Sequence, residues 1–131
     1  MSDEKPKIGQ FYWADITVEN PTELKEFYKQ IFGWEAMELP MKDGDEEYAD
    51  YVMTIDETSA AGGICHHKGP NKGIPPQWIS YFYIDNVDKA LQDCLNLGGK
   101  LIKENRKKDG TLSFVIVKDP QGAIFGMGNL I

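Results

Sequence analysis

The fold is decided by residues 11–33, which read FYWADITVENPTELKEFYKQIFG. Aromatic and β-branched residues fill positions 11–18, a composition typical of a β-strand. Asn20 then supplies a helix N-cap, and the proline that follows suits the first helical turn. Apolar residues recur at helical spacing until Gly33, which can adopt the left-handed conformation that ends a helix. The stretch therefore predicts a strand followed by a capped amphipathic helix.

The same pattern returns once, displaced along the chain by 84 − 18 = 66 residues. Val18 maps on Ile84 and Gly33 maps on Gly99 with that one offset, and an Asp-Gly pair recurs at the same distance. A shared register between separate features indicates an internal duplication. It predicts a second strand at 78–84, followed by a second helix that is capped by Asp85 or Asn86.

Three short strands are predicted after each helix, because β-rich runs alternate there with Asp-Gly and Asp-Pro turns. They cover about 34–39, 48–55, 60–67, 100–105, 112–118 and 123–130. The predicted fold is α+β, with two tandem βαβββ modules that form a curved mixed sheet with a cleft. We expect one domain over 1–131, with module one at about 8–67, a connector at about 68–77 and module two at about 78–131.

Strand alternation assigns side chains to the two faces of this sheet. Ile16 and Val18 lead into the first helix and should share its side, which turns the alternate residues of the strand toward the cleft. The 66-residue shift gives the matching positions of the second module. The residues predicted to face the cleft are Trp13, Asp15, Thr17, Ile79, Tyr81 and Tyr83.

The amino-acid composition limits the classes of binding partner that we expect. The chain has 131 residues, with 14 Lys and Arg against 21 Asp and Glu, so its net charge is −7. A field of that sign repels phosphate backbones and anionic lipids, so we expect neither nucleic acid nor a membrane surface as partner. The first residues contain no apolar segment of a signal peptide, and two cysteines form no disulfide framework. We therefore expect a cytoplasmic protein.

Several motifs resemble those of the glyoxalase/bleomycin-resistance/dioxygenase superfamily, also called vicinal-oxygen-chelate proteins. They are YWADITV at 12–18, EFY at 26–28, IFGW at 31–34, WISYFYIDNVD at 78–88, LGG at 97–99 and DPQG at 119–122. The resemblance runs from about Phe11 to Leu130. It implies paired βαβββ modules, often in a homodimer, with a small molecule held in each cleft.

The resemblance also implies one divalent metal held by His and Glu side chains. The corresponding positions in this chain are Trp13 and Ile79 on the first strands, Gly126 after the DPQG turn, and a position near Gly63. None of these side chains carries a carboxylate, imidazole or thiolate donor. We therefore expect no metal and no other cofactor.

Asp15 is the polar candidate on the cleft face. Its carboxylate could bind a ligand or act as a general base, and the alternative is that it pairs with a lysine at the rim. Trp13, Tyr81 and Tyr83 offer flat apolar surfaces for a ligand, and the alternative is that they pack in a dimer. By contrast, Phe27 and the tryptophan at position 34 are predicted in the helix–sheet core.

The two adjacent histidines at 66–67 allow two interpretations, a binding site or a solvated strand end. Cys65 and His67 should share one strand face, with Asp15 within reach across the sheet, so both are candidate ligand-binding residues and the three together are a candidate metal site. The other reading is that such histidines lie solvated at the end of a strand, beside the loop that Lys68 opens.

The sequence thus favours a homodimeric protein that binds a small organic molecule in an aromatic-lined cleft without metal, and that is not an enzyme. One alternative is a glyoxalase-like lyase or isomerase that uses Asp15 as its base or an atypical metal site. The second alternative is a structural subunit whose cleft is closed by its own aromatic side chains.

Overall fold

A computed structural model describes residues 6–129. Two βαβββ modules follow each other along the chain, which confirms the predicted α+β class. The elements are β1 (Phe11–Val18), α1 (Pro21–Phe32), β2 (Glu35–Asp43), β3 (Glu46–Thr54), β4 (Ala60–His66), a short 3-10 helix (Gly69–Asn71), β5 (Ile79–Tyr83), α2 (Val87–Asn96), β6 (Lys100–Arg106), β7 (Leu112–Lys118) and β8 (Ile124–Gly128). Two compact units result, which we call unit one (Ala14–Trp78) and unit two (6–13 with 79–129).

Unit one has the strand order β2-β3-β4-β1, with α1 on one face. The pair β1 and β4 is parallel, whereas β4 with β3 and β3 with β2 are antiparallel. The core under α1 is built from alternate residues of three strands, and its buried members are Ile16, Tyr51, Met53 and Ile64. This alternation leaves the intervening residues of the same strands on the opposite face.

The ends of α1 are those that the sequence predicts. The Oδ1 atom of Asn20 accepts a hydrogen bond from the backbone N–H of Glu23 at 3.2 Å, and Gly33 ends the helix with φ at 72°. The predicted core position of Phe27 is wrong, because 57% of this residue is exposed. The helix turns Leu24 and Tyr28 to the core, so Phe27 lies beyond the edge of the contact.

Unit two has the strand order β5-β8-β7-β6, with β5 parallel to β8. Its core lies under α2, and the buried members are Val87, Leu91, Leu112, Val115, Val117 and Met127. Asn86, and not Asp85, is the N-cap, since its Oδ1 atom accepts from the N–H of Lys89 at 3.1 Å. Within residues 6–129, no helix is both long and apolar enough to cross a membrane.

Candidate functional site

The sheet of unit one has a face that α1 does not cover, which we call the non-helical face. Ile16, Tyr51 and Ile64 point to the helix, so the residues that alternate with them point away from it. The strand register brings these alternate residues side by side across four strands. The non-helical face comprises Met37, Leu39, Asp50, Val52, Gly63, Cys65, Asp15 and Thr17.

One row of this face combines apolar, small and acidic positions. Met37 pairs with Val52, Val52 pairs with Gly63, and Gly63 pairs with Asp15. The glycine contributes no side chain to the middle of the row. Asp15 is half-buried, whereas Met37 is 56% exposed at the edge strand. The row therefore presents an apolar edge and a carboxylate on either side of a central position without a side chain.

Asp50 anchors the next row and is one of the few buried charged residues of the described chain. Its Oδ1 atom accepts a hydrogen bond from the backbone N–H of His66 at 2.8 Å. The Cys65 thiol also hydrogen-bonds to this carboxylate. Burial raises the pKa of the Cys65 thiol, and the negative charges of Asp15 and Asp50 raise it further. Cys65 is therefore a protonated donor at neutral pH and not a thiolate nucleophile.

The imidazole of His66 lies between Asp50 and Tyr48. Its Nδ1 atom is 3.4 Å from the same Oδ1 atom of Asp50 that accepts from the backbone. The Tyr48 ring meets the imidazole edge to face, with 5.2 Å between the ring centroids. Burial raises the pKa of Tyr48, and its buried hydroxyl has no hydrogen-bond partner among residues 6–129. Three polar side chains thus converge where β3 and β4 meet the connector.

His67 has a different environment from its neighbour. Its Nε2 atom accepts a hydrogen bond from the backbone N–H of Gly73 at 3.1 Å, and its Nδ1 atom is 3.6 Å from Oε1 of Glu19. These contacts tie the connector to the end of the first strand. Asp15 and Cys65 lie on the same face of the unit-one sheet, and their neighbour Asp50 is contacted by His66. The predicted ligand-binding role of His67 stays a prediction.

Unit two fills the equivalent of the non-helical face with aromatic rings. Tyr81 corresponds to Asp15 by the 66-residue shift, and it pairs with Gly126 just as Asp15 pairs with Gly63. A Cβ atom at Gly126 would overlap the Cδ2 and Cε2 atoms of the Tyr81 ring. Tyr81 also meets Phe114 edge to face and is buried. In unit two this position is therefore used for packing.

The other two predicted aromatic residues also belong to unit two. The Tyr83 hydroxyl donates to Oδ1 of Asp85 at 2.6 Å, and this hydrogen bond, followed by burial, raises the pKa of Tyr83. The Tyr83 ring is edge to face with Tyr12, and the Tyr12 hydroxyl blocks the space beside Gly128. Trp13 is half-buried on β1. The ligand-binding roles predicted for Trp13, Tyr81 and Tyr83 stay predictions.

A divalent metal does not fit the residues at the positions that the family resemblance implies. Ile79 is a buried apolar side chain, and the Tyr81 ring occupies the space into which a ligand side chain at position 126 would project. Among residues 6–129, no group of three or more His, Cys, Asp or Glu side chains is arranged to hold a metal ion. A usable site needs three or four converging donors. The chemistry of this chain must therefore be derived from its own side chains.

Sequence reasoning missed Asp50 and His66. Asp50 lies inside a strand, where aspartate is unfavourable, and that was the available signal. His66 was passed over because alternation assigns it to the face opposite Cys65. The antiparallel register of β4 with β3 ends at the Tyr51 and Ile64 pair, whereas the parallel register with β1 continues to His66. The His66 ring nevertheless lies against Asp50 and Tyr48 on β3.

Comparison with known proteins agrees with this architecture. The chain is 27% identical over 117 residues to CFP32 of Mycobacterium tuberculosis, a protein named as a glyoxylase. It is 23% identical over 127 residues to the anthracycline biosynthesis protein DnrV of Streptomyces peucetius. Each alignment covers 88% of this chain, which spans only 43% of the first relative and 45% of the second.

A solved structure supports the fold independently. Methylmalonyl-CoA epimerase from Mycobacterium tuberculosis matches with a TM-score of 0.58 at 11% identity, over 98% of this chain and 92% of that chain. The family model of the Glyoxalase/Bleomycin resistance protein/Dioxygenase superfamily matches residues 10–126, nearly the whole described chain. The chain therefore belongs to the Glyoxalase/Bleomycin resistance protein/Dioxygenase superfamily.

Proposed function

We propose that this chain binds a small organic molecule at the non-helical face of unit one and does so without a metal. The observation that carries the proposal is the difference between two equivalent positions. In unit two a tyrosine ring packs over the facing glycine, whereas in unit one Asp15 faces Gly63. The face of unit one combines a position without a side chain, Gly63, with polar groups able to orient a ligand.

The chemistry of the face favours a largely apolar ligand that carries a hydrogen-bond donor. Met37, Leu39 and Val52 supply the apolar contacts, and the carboxylate of Asp15 supplies an acceptor. Such a combination of apolar lining and a few polar groups is usual for small-molecule sites. Because Asp15 and Asp50 are both acidic, a neutral or cationic ligand is favoured over an anionic one.

The names of the two curated relatives support the same class of ligand. One is named as a glyoxylase and the other as an anthracycline biosynthesis protein, and both names refer to small organic molecules. This chain spans less than half the length of either relative, so their whole activities are not transferred to it.

The proposal is tested by thermal unfolding of the purified chain against a library of flat aromatic and amphipathic compounds. We expect stabilising compounds whose effect is unchanged by a chelator and reduced in Met37→Ser. The matched control is Ile55→Ser, because Ile55 is a similarly exposed apolar residue after β3 and outside the non-helical face. Elemental analysis of the same protein should find no stoichiometric metal.

Three results would contradict the proposal. A stoichiometric metal whose removal abolishes ligand binding would favour the atypical metal site. Absence of any stabilising compound would favour the structural subunit that the sequence left as an alternative. Equal effects of Met37→Ser and Ile55→Ser would move the binding site away from the non-helical face.

A lyase or isomerase with Asp15 as base is the second candidate function. It is favoured by the position of Asp15 on the non-helical face, directly opposite Gly63. Asp15→Asn keeps the shape and removes the basic group. This variant should bind the stabilising compounds but lose any turnover, whereas Glu57→Gln, at an exposed position, should behave as the parent protein.

We also propose that the chain forms a homodimer through α1. Phe27, Ile31 and Phe32 are each more than half exposed on this helix. Contiguous apolar surface of this kind usually marks an association site. Each copy would contribute the same helix face, as a two-fold symmetric interface requires.

A further inference from the structure

Asp50 and His66 form a pair whose geometry is fixed by the backbone. One carboxylate oxygen of Asp50 accepts from the His66 backbone N–H at 2.8 Å and lies 3.4 Å from the His66 Nδ1 atom. The Asp50 side chain is 5% exposed and the His66 side chain is 15% exposed. The carboxylate of Asp50 therefore contacts both the backbone and the ring of the same residue.

This arrangement selects one form of the neutral imidazole. A carboxylate beside Nδ1 favours the tautomer that carries its proton on Nδ1, because only that tautomer donates toward Asp50. The lone pair of the ring is then on Nε2. Among residues 6–129, the Nε2 atom of His66 has no hydrogen-bond partner, in contrast to the Nε2 atom of His67, which accepts from Gly73.

The His66 ring contacts two side chains that belong to the non-helical face, Asp50 and Tyr48. Tyr48 packs edge to face against the ring, and Tyr48 alternates with Asp50 and Val52 along β3. Leu39 lies opposite Asp50 on β2 and supplies an exposed apolar surface beside the pair. A small molecule on this face would meet an imidazole whose basic nitrogen is not used by the protein.

We propose that His66 is a general base of the non-helical face and that Asp50 is its positioning residue. This inference rests on the proposed binding function. The substrate class that fits is a neutral, largely apolar molecule with an acidic C–H bond beside a carbonyl or similar acceptor group. In the step, the C–H bond breaks, its proton goes to Nε2 of His66, and the electron pair moves onto the acceptor group of the substrate.

A nitrobenzisoxazole is a suitable probe because it is flat and neutral and its ring opening requires only a base. The base removes the C–H proton, the N–O bond breaks as the nitrile forms, and a coloured cyanonitrophenolate is released. We expect a rate above that of buffer, and a loss of about 100-fold in the protein-dependent rate for His66→Gln, the typical contribution of a general base. Asp50→Asn should cause a smaller loss, since it removes orientation and leaves the base.

The chain contains only two histidines, so the neighbouring residue provides a comparison. The loss in His66→Gln should exceed that in His67→Gln by at least about tenfold, and Glu57→Gln should retain the parent rate. In His67→Gln protein, nitrogen NMR of the single remaining imidazole should find the proton on Nδ1. In a protein that carries both His67→Gln and Asp50→Asn, the imidazole proton should shift toward Nε2. The tautomer measurement needs no substitution at His66.

The inference is overturned if the parent rate equals that of buffer, if both histidine variants lose the same activity, or if the His66 proton resides on Nε2. Thermal stabilisation and turnover together distinguish failure of the general base from failure of the binding site. Thermal stabilisation by the probe or its product that is sensitive to Met37→Ser, without turnover, would retain the binding site and reject the base. Absence of both stabilisation and turnover would reject the two proposals together.

Discussion

The ring of Tyr81 occupies the space into which a side chain at Gly126 would project. The two residues pair in the parallel register of β5 and β8, and both are buried. A Cβ atom at position 126 would overlap two carbon atoms of the ring. The glycine is therefore required by its neighbour and not by its backbone conformation.

Gly126→Ala should destabilise the chain by about 1–3 kcal/mol, the usual cost of forcing extra volume into a packed core. The free energy of unfolding in urea measures the effect. The control is the same substitution in a Tyr81→Ala background, where the ring is absent and the added methyl group has room. If Gly126→Ala costs the same with and without Tyr81, the ring is not what excludes a side chain at this position.

Cys65→Ser should change the alkaline dependence of stability. Burial, with the negative charges of Asp15 and Asp50, raises the pKa of the folded thiol above its unfolded value of 9.0. Above that pH the unfolded thiol ionises and the folded one does not, so the unfolded state binds fewer protons and stability falls as pH rises. A serine hydroxyl does not titrate in this range and removes that contribution.

The measurement is the free energy of unfolding between neutral pH and about pH 10, a range that brackets the ordinary thiol pKa. It is made in a Cys94→Ser background, so that Cys65 is the only thiol. Below the pKa of the unfolded thiol, Cys65 should not contribute to the pH dependence of the free energy of unfolding. In that range the curves of stability against pH for the parent and the variant should be parallel. Parallel profiles through pH 10 as well would contradict the assigned environment of Cys65.

Tyr28→Phe tests the polar contact that joins α1 to the end of unit one. The Tyr28 hydroxyl accepts a hydrogen bond from the indole N–H of Trp78 at 2.9 Å, and its ring packs against both Trp78 and Trp34. Removing the hydroxyl leaves a partly buried indole N–H without an acceptor. We expect a loss of about 1–3 kcal/mol in the free energy of unfolding.

The fluorescence of the tryptophans provides the readout, and Tyr12→Phe is the comparison, because Tyr12 lies in unit two, where its ring meets Tyr83 edge to face. A Tyr28→Phe variant as stable as the parent would mean that the hydrogen bond to Trp78 contributes nothing net to folding.

The architecture could be predicted from the sequence because its signals are local. Asn20, Asn86 and Gly33 set helix ends through bonds within one turn. Asn20 and Gly33 act as predicted, and Asn86 is one of the two N-caps that the sequence left open. The site depended on longer-range facts. Asp15 and Tyr81 occupy equivalent positions of the two units, but the Tyr81 ring fills the space over its facing glycine. The periodicity of the sequence does not show which side chain fills that space.

The face of His66 could not be predicted for a related reason. His66 is the last residue of β4, where the pairing with β1 continues but the pairing with β3 has already ended. There its side chain is directed by Asp50, which lies 16 residues earlier. The exposure of Phe27 has the same origin, because a helical stripe predicts an apolar face but not how much of it the sheet covers.

Phe27→Ser addresses the proposed homodimer. Phe27 is 57% exposed, so its replacement removes little of the unit-one core and should change the free energy of unfolding by no more than about 0.5 kcal/mol. If the exposed face of α1 joins two copies, the same variant should shift the mass measured by light scattering from dimer toward monomer at a fixed concentration. The matched control is Leu97→Ser, since Leu97 is 78% exposed beyond the end of α2. A Phe27→Ser protein that remains as dimeric as the Leu97→Ser protein would exclude α1 as the interface, and a parent protein that is monomeric at all concentrations would exclude the dimer itself.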